Sequence, residues 1–220
     1  MNTTYRFFLL LLGCLLSNFC IGQTPGLPED HGQIGDQNAG GSQSVVAEQT
    51  LNLIPGWNWF SCYVECSDAL FNDLKGSIAQ NTSTAMLKDQ SHTIMLQDGS
   101  WSGSSGIGLA NESMYMINVE EPVTVVLHAP FAVASSHQIE LSPGWNWIGF
   151  PSANAISLEE ALASIQPNEG DMIKNAALTS SYMGSWSGTL HALEPGMGYM
   201  YYNSGTTTMY LTYPTSTDGE

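Results

Sequence analysis

The chain has 220 residues, with four basic side chains against twenty acidic ones and a formal net charge of −16. So acidic a surface repels phosphate backbones and anionic lipid headgroups, which excludes nucleic acid as a partner. Charged residues are only 11% of the chain, and hydroxyls and amides take their place on the solvated faces, a balance that suits an exported β protein.

At the start of the chain Arg6 precedes an apolar run from Phe7 to Leu16, and small residues follow at Cys20 and Gly22. This predicts a secretory signal peptide over 1–22, cut after Gly22. The run is too short for a spanning helix. An alternative takes Leu11-Leu12-Gly13-Cys14 as a lipobox, making a lipid on Cys14 the protein's tie to a membrane. Against it, the residues after Cys14 (Leu15, Leu16, Phe19) stay apolar where a lipoprotein turns polar. The location expected is therefore secreted or cell-surface. After the cut, Lys75, Lys88 and Lys174 face twenty acids, a net charge of −17.

Residues 23–45 are rich in Gly, Pro, Gln and Asp and poor in large apolar groups. They bury too little to offset the entropy of ordering them and read as a flexible linker. Asp30, His31 and Asp36 lie there with nothing rigid to gather them around a metal.

Beyond the linker the chain repeats itself. "PGWNW" stands at 55–59 and again at 143–147, and "GSWSG" at 99–103 and 184–188. Trp57 and Trp145 are 88 apart, Lys88 and Lys174 86, Trp101 and Trp186 85, Tyr115 and Tyr199 84. Ordered matches with a slowly shrinking offset indicate an internal duplication. Two tandem homologous modules are expected, 46–130 and 134–215.

In each, "QTLNLIP" or "HQIELSP" alternates as a half-buried strand and stops at Pro55 or Pro143. "WNWFSCYV" or "WNWIGFPS" is the next strand. Leu70, Leu74 and Ile78, and Leu158, Leu162 and Ile165, recur at helical steps. Ser157 and Glu160 form a capping box for the second helix, which Pro167 and Gly170 end. "AMLK" and "DMIK" open a second strand pair, with Asp98-Gly99 as a tight hairpin turn. A last hairpin is expected over Met114–His128 around Glu120 and Glu121, and its partner over Tyr199–Tyr213. The fold class is mainly β (α+β), each module a small sheet or barrel with one short helix.

The order PGWNW, short helix, Trp in a hairpin, then "PGMGYMYY" at 195–202 resembles the "GWN...W...GY" repeat modules of bacterial secreted and cell-surface proteins. The resemblance spans about 46–214 and implies an accessory piece of surface architecture; it brings no catalytic residues. The first copy departs from it, with "NESMYM" at 111–116.

Nothing in the sequence assembles a catalytic or cofactor site. The histidines (His31, His92, His128, His137, His191) fall at no metal-ligand spacing. No serine sits in a nucleophile elbow, and no phosphate loop is present. Glu120-Glu121 and Glu159-Glu160 read as solvated acids. Cys62 and Cys66 are the thiols left after cleavage; on a straight strand they are too far apart to bond, whereas a turn after Tyr63 would allow a disulfide.

The aromatics divide into two sets. Trp57, Trp59, Trp145 and Trp147, in an identical pentapeptide, are expected as core anchors. Trp101 and Trp186, beside Gly/Ser-flanked turns, with Tyr201 and Tyr202, are the candidate exposed ligand-binding residues. The function expected is that of a non-catalytic exported tandem-repeat protein in surface structure or adhesion. The alternative is a carbohydrate-binding module pair, and the partners are then a polysaccharide or a surface protein, with no cofactor and no metal.

Overall fold

The computed structural model describes residues 46–215, so the expected signal peptide, the linker and Cys14 lie outside it. The described chain is mainly β, as its sequence predicts.

In the first half β1 (Val46–Leu53) leads through a Pro-Gly turn to β2 (Gly56–Phe60), followed by α1 (Asp68–Asn81). Then come β3 (Thr84–Lys88), β4 (Thr93–Gln97), β5 (Ser100–Gly103), β6 (Tyr115–Val119) and β7 (Val123–Pro130). Five strands form one sheet in the order β2-β6-β3-β4-β5, while β1 pairs with β7 along eight residues. The second half repeats this scheme. It begins with β8 (Gln138–Leu141), β9 (Gly144–Ile148), β10 (Ile156–Ser157) and α2 (Leu158–Ala161). It continues with β11 (Met172–Lys174), β12 (Thr179–Tyr182), β13 (Trp186–Gly188), β14 (Ala192–Leu193), β15 (Tyr199–Asn203) and β16 (Met209–Thr212). Its five-stranded sheet runs β13-β12-β11-β15-β9, β8 pairs with β16, and a short β10–β14 pair has no counterpart in the first half.

Local chemistry explains the repeated pentapeptide. Gly56 and Gly144 both take φ +95°, a left-handed conformation that favours glycine. The Asn58 side chain then closes the turn, its Oδ1 accepting from Ile54 N–H at 2.9 Å while Nδ2 donates to Ile54 C=O at 2.7 Å. Asn146 does the same to Ser142 at 3.0 and 2.7 Å. Asp98-Gly99 makes the expected tight hairpin, with Gln97 opposite Ser100 and both turn residues at positive φ.

Two expectations about elements are corrected. Residues 114–128 are not a hairpin: β6 pairs with β2 and β3, and β7 leaves that sheet to pair with β1. Residues 199–213 divide the same way, β15 pairing with β9 and β11 and β16 with β8. The cause is burial: Val123, Val125 and Leu127 face the core across from the sheet, which carries the strand away from its sequence neighbour. The second helix is one turn, Leu158–Ala161, ending well before Pro167. Ser157 Oγ does cap it, accepting from Glu160 N–H at 3.2 Å.

Each half has its own core. Leu70, Leu74 and Ile78 of α1 are buried among Phe60, Leu87, Ile117 and Leu127 in the first. Phe150, Ile173, Tyr199 and Tyr213 are at the centre of the second. Across the boundary the halves exchange matched hydrogen bonds. Ser61 N–H donates to Gly196 C=O at 3.0 Å, and Gly149 N–H to Glu112 C=O at 2.8 Å. Ser61 Oγ accepts from Phe150 N–H at 3.1 Å and donates to Met197 C=O at 2.7 Å. A Cβ on Gly149 would collide with the Asn111 carbonyl, so the chains can cross here only because position 149 has no side chain.

Candidate functional site: an aromatic face shared by the two halves

The pleat puts Trp57 and Trp59 on one face of β2 and Phe60 on the other, and the core takes Phe60. The tryptophans of "PGWNW" are therefore not core anchors. Trp57 is 44% exposed and Trp145 40%, with Trp59 and Trp147 half-buried. The outer face of the first sheet continues from them through Met116 and Asn118 on β6, Met86 and Lys88 on β3 and Met95 on β4, in cross-strand register. In the second half Tyr202, Met200, Met172 and Lys174 follow the same register. Trp145 and Tyr202 touch, with ring centroids 5.1 Å apart.

Lys88 and Lys174 join the two faces. The Lys88 ammonium lies 4.7 Å from the Trp57 ring centroid and 5.6 Å from that of Trp147. Lys174 lies 4.5 Å from Trp145 and 5.9 Å from Trp59. Each cation thus sits over one ring from each half, where the negative ring faces attract it. The ion pairs found among the described residues all involve histidine, so no carboxylate pairs with either lysine. In a chain with twenty acids, that leaves two positive charges concentrated on one aromatic surface.

Beside Trp57 this face is indented. A shallow cleft of about 400 Å³ is lined by Trp57, Met86 and Met95 and rimmed by Thr84, Gln97, Asn118 and Glu120. An exposed indole next to amide, hydroxyl and carboxylate groups can stack on an apolar ring face while its neighbours hydrogen-bond hydroxyls at the ring edge.

The residues expected to bind ligand lie elsewhere. Trp101 and Trp186 are half-buried, packed against the first and second cores. Trp101 Nε1 donates to the Lys75 carbonyl at 3.1 Å, and Trp186 meets Tyr182 and Tyr201 edge-on. Tyr201 is fully buried, its hydroxyl donating to Asp171 at 2.6 Å. Only Tyr202, half-buried, reaches the aromatic face. Pleat parity decides this, because Tyr201 and Tyr202 are neighbours on one strand and must point to opposite faces. Lys88 and Lys174 are the residues the ligand reading missed; their signal was that two of three lysines stand at matched positions.

Cys62 and Cys66 are free thiols, not a disulfide, Cys62 buried and Cys66 half-buried. The turn after Tyr63 nonetheless brings them together. A hydrogen bond with Cys62 first, and burial second, push the Cys66 thiol pKa up. Among the described residues no three His, Cys, Asp or Glu side chains gather as a metal site, and Glu120, Glu121, Glu159 and Glu160 are exposed. Comparison with protein-family models, curated proteins and solved structures finds no match to the chain.

Proposed function

We propose that the protein is a non-catalytic exported module of surface structure or adhesion, and that its aromatic face holds polysaccharide. The observation that carries this reading is the pair of exposed indoles Trp57 and Trp145, flanked by half-buried Trp59, Trp147 and Tyr202, with a polar-rimmed cleft at Trp57. Exposed tryptophan surface is costly to keep in water, and an exposed indole on each of the two sheets suits the apolar faces of sugar rings. Lys88 and Lys174 add sites for carboxylate or sulfate groups on such a chain. The resemblance to "GWN...W...GY" surface modules supports an extracellular setting.

A second reading takes the Lys–Trp contacts as a clamp between the halves, because each lysine spans both. Co-sedimentation with insoluble polysaccharides separates the two. Under the binding reading Trp57→Ala and Trp145→Ala abolish co-sedimentation with little loss of stability; under the clamp reading they loosen the fold and no glycan is retained by the unmodified protein.

A further inference from the structure

Primary amides bridge nearby backbone groups in this protein in one recurring way, at β9 and in the segment that follows β2. Gln49 donates from Nε2 to Ser61 C=O at 2.7 Å and accepts at Oε1 from Tyr63 N–H at 2.9 Å. Asn111 donates to Val64 C=O at 2.8 Å and accepts from Cys66 N–H at 3.0 Å. Gln90 donates to Trp145 C=O at 3.2 Å and accepts from Trp147 N–H at 2.8 Å. Each carboxamide spans the carbonyl of one residue and the N–H of the residue two further on. A primary amide suits this because its donor and acceptor point the same way.

The fourth such position is open. Trp57 and Trp59 match Trp145 and Trp147, β2 is likewise the edge of its sheet, and pleat alternation directs Trp57 C=O and Trp59 N–H away from β6. The residue matching Gln90, two beyond the matched lysine, is Ala176, which has no amide to offer. Among the described residues no side chain bonds to either backbone group. Instead Ala176 lines a groove of about 440 Å³ with Leu51, Trp59, Pro195 and Met197 along its walls, while the hollow at Trp147, with Gln90 in its wall, measures about 170 Å³.

We propose that this groove binds a peptide segment presenting an Asn or Gln side chain, whose carboxamide sits at Trp57 and Trp59 as that of Gln90 sits at Trp145 and Trp147. Asp or Glu fails there, because a carboxylate has no donor for the Trp57 carbonyl. The strand β1 along the groove offers Thr50, Asn52 and Ile54 as further contacts for an extended chain. The site is distinct from the glycan reading, since the contact it needs is with the backbone of Trp57 and Trp59 and not with their rings.

The test is an NMR titration of ¹⁵N-labelled protein with Ac-Ala-Gln-Ala-NHMe, and with Ac-Ala-Glu-Ala-NHMe as control. The expected result is a saturable shift of the Trp59 amide with the glutamine peptide alone, at least tenfold weaker in Ala176→Gln, whose new side chain fills the site. A second variant, Gln90→Ala, is expected to make the Trp147 amide respond to the same peptide. No shift at Trp59, equal shifts with both peptides, or an unchanged response in a folded Ala176→Gln protein would overturn the proposal.

Discussion

Lys174, in the second half of the chain, places its ammonium 5.9 Å from the ring centroid of Trp59 in the first. Lys88 makes the reciprocal contact with Trp147 at 5.6 Å. Neither has a carboxylate partner among the described residues, so ring faces supply the attraction. Replacing either lysine by methionine keeps the packing of the stem and removes the charge. Each substitution is expected to cost about 1 kcal/mol in urea unfolding, the scale of two partly solvated cation–π contacts. Unchanged midpoints would mean the lysines are merely solvated.

The two faces of β2 differ in what they bury. Phe60 is 3% exposed, and Phe60→Ala is expected to destabilise by about 3–5 kcal/mol, the cost of emptying a core site. Trp57→Ala, on the open face, is expected to cost only about 1 kcal/mol, chiefly its contact with Lys88. Denaturant unfolding of the two variants checks the order, and equal losses would return Trp57 to the core.

That contrast shows what the sequence does and does not disclose. Alternation identified which residues share a face: Trp57 with Trp59, Phe60 on the other side. It could not say which face the core would take, since tryptophan and phenylalanine both suit burial, and here β1, β7 and α1 cover the Phe60 side. The helix over Asp68–Asn81 was legible because Leu70, Leu74 and Ile78 keep a helical period, and Asp98-Gly99 because its turn chemistry is local. The partners of β6 and β7 were not, because sequence neighbours joined by a short turn look like a hairpin even when long-range packing separates them. The aromatic site was missed for the same reason: turn-flanking glycines near Trp101 and Trp186 suggested exposure, and only the tertiary fold lays α1 against one and Tyr182 and Tyr201 against the other.

Asp171 is fully buried and accepts from Tyr201 Oη at 2.6 Å, Ser204 N–H at 2.7 Å, Ser204 Oγ at 2.8 Å and Asn168 N–H at 3.0 Å. Asp171→Ala leaves these donors without their acceptor and is expected to cost about 3 kcal/mol. Asp171→Asn keeps one acceptor oxygen and is expected to lose less. Thermal unfolding of the pair measures the difference, and an unaffected alanine variant would contradict the account of this loop.

Four buried phenols make the fold sensitive to alkali. Burial pushes the pKa of Tyr199 up to about 12 and those of Tyr115, Tyr201 and Tyr213 higher still, the hydrogen bond to Asp171 adding to the effect at Tyr201. These groups are harder to ionise folded than unfolded, where their reference value is 10.0. Their contribution to stability is therefore complete below about pH 10 and is lost as pH rises through the raised values. Urea midpoints are expected to fall steeply above that point, with the phenolate absorbance of these tyrosines appearing only as the protein unfolds. Their free titration in the native state near pH 10 would contradict the burial.

Titration of the purified protein with soluble polysaccharides, neutral and acidic, followed by intrinsic tryptophan fluorescence, tests the aromatic face directly. An aromatic binding face predicts a saturable spectral shift, lost in folded Trp57→Ala and Trp145→Ala variants and retained in Trp101→Phe and Trp186→Phe. No shift with any polysaccharide, or one that survives loss of Trp57 and Trp145, would contradict it.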